Sequence, residues 1–445
     1  MHGQPRLSLQ ELQVASSIAS RHDLLLADLD TFVAARTGPG PNQGKHIAAL
    51  RGIIGHRLAA LGAQLQLASS CHKPAWLAMP NEANADPSIT DRPTAFYRRL
   101  LADSPTPGNP TPDNPSPAFL IAGHLDTVHS DGSGFDRLTL SSDGKTATGP
   151  GIVDMKGGLV IALHALEVLH ASGIPISWTF LLNGDEETGS FYSDHAIRAE
   201  ASTHQAGHST YRYGLALEPA VGGGAQASDP LPACWKLALA RGGSGQLALH
   251  ATGKRAHVGR DFTAGRSAVS ALCQSILDIH ALSDPASGIC LNISPLWCPD
   301  AANVVAGEAR AWGNVRYPSP QAMEQLDNNF TNLQTKWHTA AAQAGGLPKV
   351  DILRTFNRPA KPASEQTKAL ATHYQSVLRS LGSDLEFMTS AGVCDGNNMQ
   401  AAGLPTIDSL GVRGGGLHTG TEWIELSSLV ERCQALAVLL MRLVD

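Results

Sequence analysis

The sequence predicts an α/β domain, a mostly parallel sheet flanked by helices, interrupted by an inserted α+β domain. Three observations lead there. Between residues 118 and 218, apolar strand-like runs alternate with helical patterns, as parallel strands joined by crossover helices do. After Pro230 the pattern changes to an alternation of period two, and beyond 358 the first style returns. At 445 residues the chain is also too long for one ordinary core.

The elements follow in order. Helical patterns cover 9–35 and 46–61, separated by the breaker TGPGP at 37–41. SPTPGNPTPDNPSP (104–117), with proline at every second or third place, reads as an exposed loop. AFLIA (118–122) reads as a short buried strand, 155–171 as an apolar helix, 178–183 as a strand and 213–218 as another. WKLALARGGSGQLALHAT (235–252) alternates like two antiparallel strands around a Gly-rich turn. A helix over 265–282, a strand at CLNIS, a pairing segment over 309–316, a helix over 320–343 and a strand over 350–354 complete that unit. The order fits a small sheet with two helices on one face, as in ferredoxin-like domains. A helix over 364–381, the Gly-rich 391–418 and a helix over 427–443 rejoin the first domain. The expected division is 1–232 and 355–445 for the main domain and 233–354 for the insert.

Composition excludes several partners. A formal net charge of −6 argues against nucleic acid or an anionic membrane as the binding surface. Seven cysteines without a CxxC pair read as reduced thiols. MHGQPRLSLQELQ has no apolar core of signal-peptide length, and no later run is long enough to span a bilayer. A cytoplasmic protein is expected.

Acids and histidines recur where apolar strands end. The first strand runs into Gly123-His124-Leu125-Asp126, whose His-x-Asp spacing turns both side chains to one side of an extended backbone. One can then ligate a metal while the other orients it. Asp154 lies in the Gly-rich GPGIVDMKGG before the apolar helix, and NGDEETGS (183–190) carries three consecutive acids at the next strand end. Glu218 ends the third strand, and His418 lies in GGGLHT. In an open parallel sheet the carboxyl ends of strands share one edge, where sites form. An oxygen-plus-imidazole set without thiolate suits one or two divalent ions such as Zn²⁺, Co²⁺ or Mn²⁺. Neighbours on an extended chain face opposite ways, so Glu187 can bind metal while Glu186 faces the water to be activated.

These stretches, with ALEPA, GKRAHVGRDFTAGRSAV, NVRYP and GGGLHTGTEWIEL, occur in an order that resembles the zinc metallopeptidase superfamily of glutamate carboxypeptidase, acetylornithine deacetylase, succinyl-diaminopimelate desuccinylase and aminoacylase. The resemblance implies the dinuclear zinc peptidase fold with a dimerisation domain inserted in it. It implies that Asp154 bridges two ions, with Glu187 and His418 completing one site and His124 and Glu218 the other. Asp126 would orient His124, and Glu186 would be the general base. His257 would reach a neighbouring subunit's site in a homodimer and help hold the oxyanion. Asn303, Arg316 and Arg358 would grip the substrate carboxylate, although each arginine would equally serve as an ion pair within the fold.

Other signals are set aside. TGPGPNQGKH has the wrong glycine spacing for a phosphate loop, and HQAGH (204–208) lacks the glutamate of a zinc helix. His164 and His170 fall on the apolar helix as packing or surface residues, and no GxSxG elbow is present. The expected activity is metal-dependent hydrolysis of an amide next to a free carboxylate in a small peptide or N-acyl amino acid. A glutamate-releasing carboxypeptidase is the first reading, with an N-acyl-amino-acid deacylase or a dipeptidase as alternatives.

Overall fold

The computed structural model describes residues 6–78, 93–101, 118–130, 132–202 and 211–444. The proline-rich 104–117 and the HQAGH histidines lie outside the described residues.

The central sheet has six strands in the order Gln64–Ala68, Thr94–Arg99, Ser177–Asn183, Ala118–His124, Tyr211–Ala216 and Thr406–Ile407. The last four are parallel, and the first two each pair antiparallel with the strand that follows them in this order. Ala118–His124 and Ser177–Asn183 are buried at every position, which is why their sequences read as continuous apolar runs rather than alternating ones. One face carries the long helices, with Gly157–Ala171 packed against Ser427–Val444. The other carries Asp194–Ala201 and Asp395–Ala401. Gly158 is required where the apolar helix presses on the sheet: a Cβ there would lie 2.2 Å from the Leu217 carbonyl oxygen.

Pairing within the sheet sets the site. His124 lies in register with Asn183, and the Leu217 N–H donates to the Ala122 carbonyl, so the three strand ends carrying His124, the acidic triplet and Glu218 emerge side by side. A small antiparallel sheet of Thr139–Leu140, Thr146–Thr148, Trp423–Glu425 and Gly414–Gly415 brings the His418 loop to the same edge.

The inserted unit is ferredoxin-like, as expected. Its antiparallel sheet runs Cys290–Trp297, Glu308–Tyr317, Gly243–Thr252, Lys349–Arg358, backed by helices Ala268–His280 and Pro320–Gln343 over a core of its own. The hairpin expected over 235–252 does not form. Lys236–Arg241 pairs in parallel with Glu386–Ser390, and only Gly243–Thr252 enters the inserted sheet. Both segments are strands, but period two does not say which strand is the partner. The helix expected over 9–35 is two, Leu9–Ala19 and His22–Ala34. The strands Gln64–Ala68 and Thr94–Arg99 carry no sequence signal strong enough to announce them.

The chain therefore enters the inserted unit at Gly242, after the strand paired with Glu386–Ser390, and leaves it at Pro359. Arg241 and Lys361, on either side of this crossing, exchange backbone hydrogen bonds of 2.9 Å. Both side chains converge on Asp408, which follows the Thr406–Ile407 strand. Arg241 donates to its two oxygens at 2.9 and 2.7 Å, and the Lys361 ammonium lies at 3.0 Å. Burial alone would raise the Asp408 carboxyl, but the Arg241 and Lys361 charges hold it well below the usual carboxylate range. Its contribution to stability is thus complete above about pH 4, where an unfolded aspartate ionises, and is lost as pH falls toward the folded value. Asp408→Asn leaves two cations short of their partner and is expected to cost about 3–5 kcal/mol in urea unfolding near neutral pH. The deficit should shrink as pH falls below about 4. A variant within error of wild type at pH 7 would show that the clamp contributes nothing.

Candidate metal centre

His124 ends its strand with Nδ1 turned toward Asp126, 3.0 Å from its backbone oxygen and 3.5 Å from Oδ1. That leaves Nε2 facing Asp154 Oδ1 at 3.1 Å. On the other side of Asp154, Oδ2 lies 3.5 Å from His418 Nε2, which is itself 3.2 Å from Glu187 Oε2. Two sets of ligand atoms result, His124–Asp154–Glu218 and Asp154–Glu187–His418, each within 4.8 Å of one another. Asp154 belongs to both. The structure thus gathers in one place the five residues expected to ligate metal.

Asp154 is delivered by a loop whose shape the sequence does not announce. Gly151 adopts φ of 68°, a left-handed conformation that favours glycine, and the N–H groups of Gly151, Val153 and Asp154 turn to one buried carboxylate, Glu422, at 2.8–3.0 Å. His129 Nε2 also meets Glu422. Glu422 stands four residues after His418 within GGGLHTGTEWIEL, one of the stretches that carry the resemblance, but nothing in that stretch ties it to the Asp154 loop.

The acidic triplet divides into three roles. Asp185 points inward and accepts the Tyr192 N–H at 2.7 Å; burial, and then the charge of Asp126, push its carboxyl up to about 7. Asp126 accepts the backbone N–H groups of Glu186 (3.2 Å) and Glu187 (3.0 Å), so it holds the loop as well as His124. Glu187 faces His418 and Asp154. Glu186 faces away to Arg358, whose Nη1 donates to its Oε1 at 2.7 Å. The opposite facing expected of these neighbours is present.

The charges say what this site would hold. Burial and then the Asp154 charge push Glu187 up to about 8 and Glu218 well above the carboxylate range. Burial also raises Glu186, against the pull of Arg358. Hydrogen bonds to Asp154 and Glu187 take His418 up to about 10. Burial would lower His124, but its bonds to Asp126 and Asp154 raise it. Burial would likewise raise the Asp154 carboxyl, but the same two histidines hold it low. A set of buried carboxylate oxygens with one buried and one exposed imidazole, short of positive charge, fits divalent cations.

The expected substrate groups are placed differently. Arg316 is half-buried, with Nε on Asn314 Oδ1 at 3.0 Å and no carboxylate partner among the described residues; burial, then the nearby Arg358 charge, lower its pKa. Arg358 is buried against Glu186. His257 and Asn303 are exposed on the inserted unit, on two short segments joined by the Val258 N–H to Asn303 carbonyl bond of 3.0 Å. Neither contacts the ligand set among the described residues.

A sequence profile of peptidase family M20/M25/M40 matches residues 120–442. The chain belongs to this family. As an M20/M25/M40 member it is a metal-dependent amide hydrolase. Carboxypeptidase G2 of Pseudomonas sp. (strain RS-16) is 29% identical over 331 residues, 73% of this chain and 73% of that protein. Succinyl-diaminopimelate desuccinylase of Legionella pneumophila (strain Paris) is 24% identical over 323 residues, 70% of this chain and 79% of that one. A tripeptidase from Staphylococcus aureus shares the fold with a TM-score of 0.66 at 17% identity, covering 95% of this chain and 98% of that one. A di-peptidase from Saccharomyces cerevisiae does so with a TM-score of 0.66 at 14% identity, covering 97% and 98%. Among the described residues no helix is long and apolar enough to cross a membrane.

The split between the two glutamates is directly testable. Glu187→Gln is expected to lower bound metal in elemental analysis, and Glu186→Gln to leave it near wild type, because of the two only Glu187 belongs to a candidate ligand set. The reverse pattern would exchange their roles.

Proposed function

We propose that this enzyme cleaves an amide bond adjacent to a free carboxylate, releasing a C-terminal amino acid, as a glutamate carboxypeptidase does, in the cytoplasm. The observation that carries this reading is the pair of ligand sets sharing Asp154, with Glu186 beside them and Arg316 free of any carboxylate partner among the described residues. The matched length and 29% identity to carboxypeptidase G2 support the peptidase over the deacylase. The desuccinylase relative at 24% identity keeps N-acyl-amino-acid deacylation as the second reading.

Two ions would be held, one by His124, Asp154 and Glu218 and one by Asp154, Glu187 and His418, with Zn²⁺ as first choice and Co²⁺ or Mn²⁺ as substitutes. When bound, they supply Lewis-acid polarisation of the scissile carbonyl and acidify water. Glu186 takes the proton from the attacking water as the new C–O bond forms, then passes it to the amine nitrogen as the C–N bond breaks. Asp126 keeps the His124 ring turned so that Nε2 faces inward. Arg316 meets the substrate carboxylate, for which a guanidinium provides a two-point, charge-assisted grip. The inserted unit, which in the fold runs from Gly243 to Arg358 rather than over the expected 233–354, serves as a lid and dimerisation domain, and His257 and Asn303 act on the partner's substrate, the histidine at the oxyanion. Their exposure, away from the ligand set of their own chain, supports that assignment.

A screen of dipeptides and N-acyl amino acids with Zn²⁺-loaded enzyme, scored by released amine, tests the reading. Substrates with a free carboxylate should turn over and their amides should be poor, and chelation should abolish turnover until metal is returned. Equal kcat/KM for acid and amide, or full activity in protein shown to be metal-free, would refute it.

Sharing of His257 has its own test. His257→Ala and Glu186→Gln are each expected to be inactive. Refolded together, random pairing makes half the dimers mixed, and each mixed dimer has one site with both working groups. Activity should recover to about a quarter of wild type under two-fold pairing. No recovery in verified mixed dimers would place His257 in its own chain's site or outside the reaction.

A further inference from the structure

Arg358 is buried with both terminal nitrogens engaged by the Glu186 loop. It is 2% exposed. Nη1 donates to Glu186 Oε1 at 2.7 Å, and Nη2 donates to the Glu186 backbone oxygen at 2.9 Å and to Ser190 Oγ at 2.7 Å. Its remaining nitrogen, Nε, is buried without a hydrogen-bond partner among the described residues. A carboxylate takes a guanidinium through two parallel N–H groups, and both terminal nitrogens are already on the Glu186 loop.

That loop is also closed from below. Asp395 accepts the Ser190 hydroxyl and the Asn183 amide, each at 2.6 Å, and lies 3.7 Å from Arg358 Nη2. Ser190 has φ of 52°, rare for a residue with a side chain, and its hydroxyl is fixed between Arg358 and Asp395. Arg358 is moreover the last residue of the Lys349–Arg358 strand, three positions before Lys361 of the Asp408 clamp. One side chain thus ties the return strand of the inserted unit to Glu186, the neighbour of the candidate ligand Glu187.

We infer that Arg358 is the positioning residue of the general base: it sets the direction of the Glu186 carboxylate from the inserted unit's return strand and leaves carboxylate recognition to Arg316. The inference rests on the hydrolase reading of Glu186. It differs from the role that the family resemblance implies for this arginine, because burial and the engagement of both terminal nitrogens by the Glu186 loop turn it away from the substrate.

Arg358→Lys and Arg358→Ala, made in the full-length enzyme, test it. Lysine keeps the charge but cannot reach three acceptors with a planar fork. Both variants are expected to retain metal and to lose kcat per folded, metal-loaded site by about 100-fold, the scale of a misdirected catalytic group. KM for the acid substrate should stay close to wild type, and the acid-to-amide ratio of kcat/KM should be preserved. Arg316→Ala should do the opposite, raising KM and collapsing that ratio. Hydrogen exchange read by mass spectrometry should rise over 184–190 in both Arg358 variants while the 118–124 strand stays protected. A raised KM with a collapsed ratio in the Arg358 variants would make it a substrate grip and overturn the inference. So would unchanged exchange over 184–190, or a kcat that falls only with the fraction of folded protein. If wild type hydrolyses neither acid nor amide, the hydrolase reading fails by itself, and the exchange measurement still decides whether Arg358 holds the loop.

Discussion

Burying many carboxylates at one sheet edge is the constraint around which this molecule is arranged. Asp126, Asp154, Asp185, Glu186, Glu187, Glu218, Asp395 and Glu422 all come out of water within a small part of the fold, where each charge needs compensation. The chain meets that need in two ways. Asp126, Asp185 and Glu422 accept backbone N–H groups, and Asp395 accepts a hydroxyl and an amide. These acids shape loops. Glu187 and Glu218 receive no backbone donor among the described residues, and burial together with the Asp154 charge raises both. They are the ones left for a cation. Donor supply thus sorts structural acids from ligands.

The same logic explains how the site is held together although its parts come from distant stretches of chain. Glu422 draws three N–H groups of one loop onto itself and so presents Asp154 with one oxygen to each histidine. Asp126 works on both sides, orienting His124 and pinning the backbone of Glu186 and Glu187. Ligand geometry in such sites depends on partners that never touch the ion. Here those partners are acids held by the backbone of the next loop.

The two units are joined by charge rather than by a shared apolar core. Their cores are separate, and the two chain crossings meet at Arg241 and Lys361 over Asp408. An ion cluster fully out of water is directional, so it fixes how the crossings lie against the Thr406–Ile407 strand end. Arg358, three residues from that cluster, carries the same constraint into the Glu186 loop.

By itself the sequence determined what depends on neighbours along the chain. Continuous apolar runs marked the buried parallel strands, period two marked the insert, and the acids and histidines at strand ends marked the edge where five candidate ligands meet. The elements of the inserted sheet were legible for the same reason, although the sequence reading, β-β-α-β-β-α-β, counted one strand too many. Tertiary structure alone decided what depends on partners far away. It sent Lys236–Arg241 to Glu386–Ser390 instead of the adjacent strand, because alternation specifies a face and not a neighbour. It assigned Glu422 to the Asp154 loop, which no local pattern announces. In the sequence Arg358 reads equally as an ion pair or a substrate grip, and only the fold, which brings it against Glu186 from 172 residues away, put both terminal nitrogens on that loop. Burial periodicity is written within a few residues, whereas the partner of a buried charge is chosen by whatever the folded chain brings within hydrogen-bond reach.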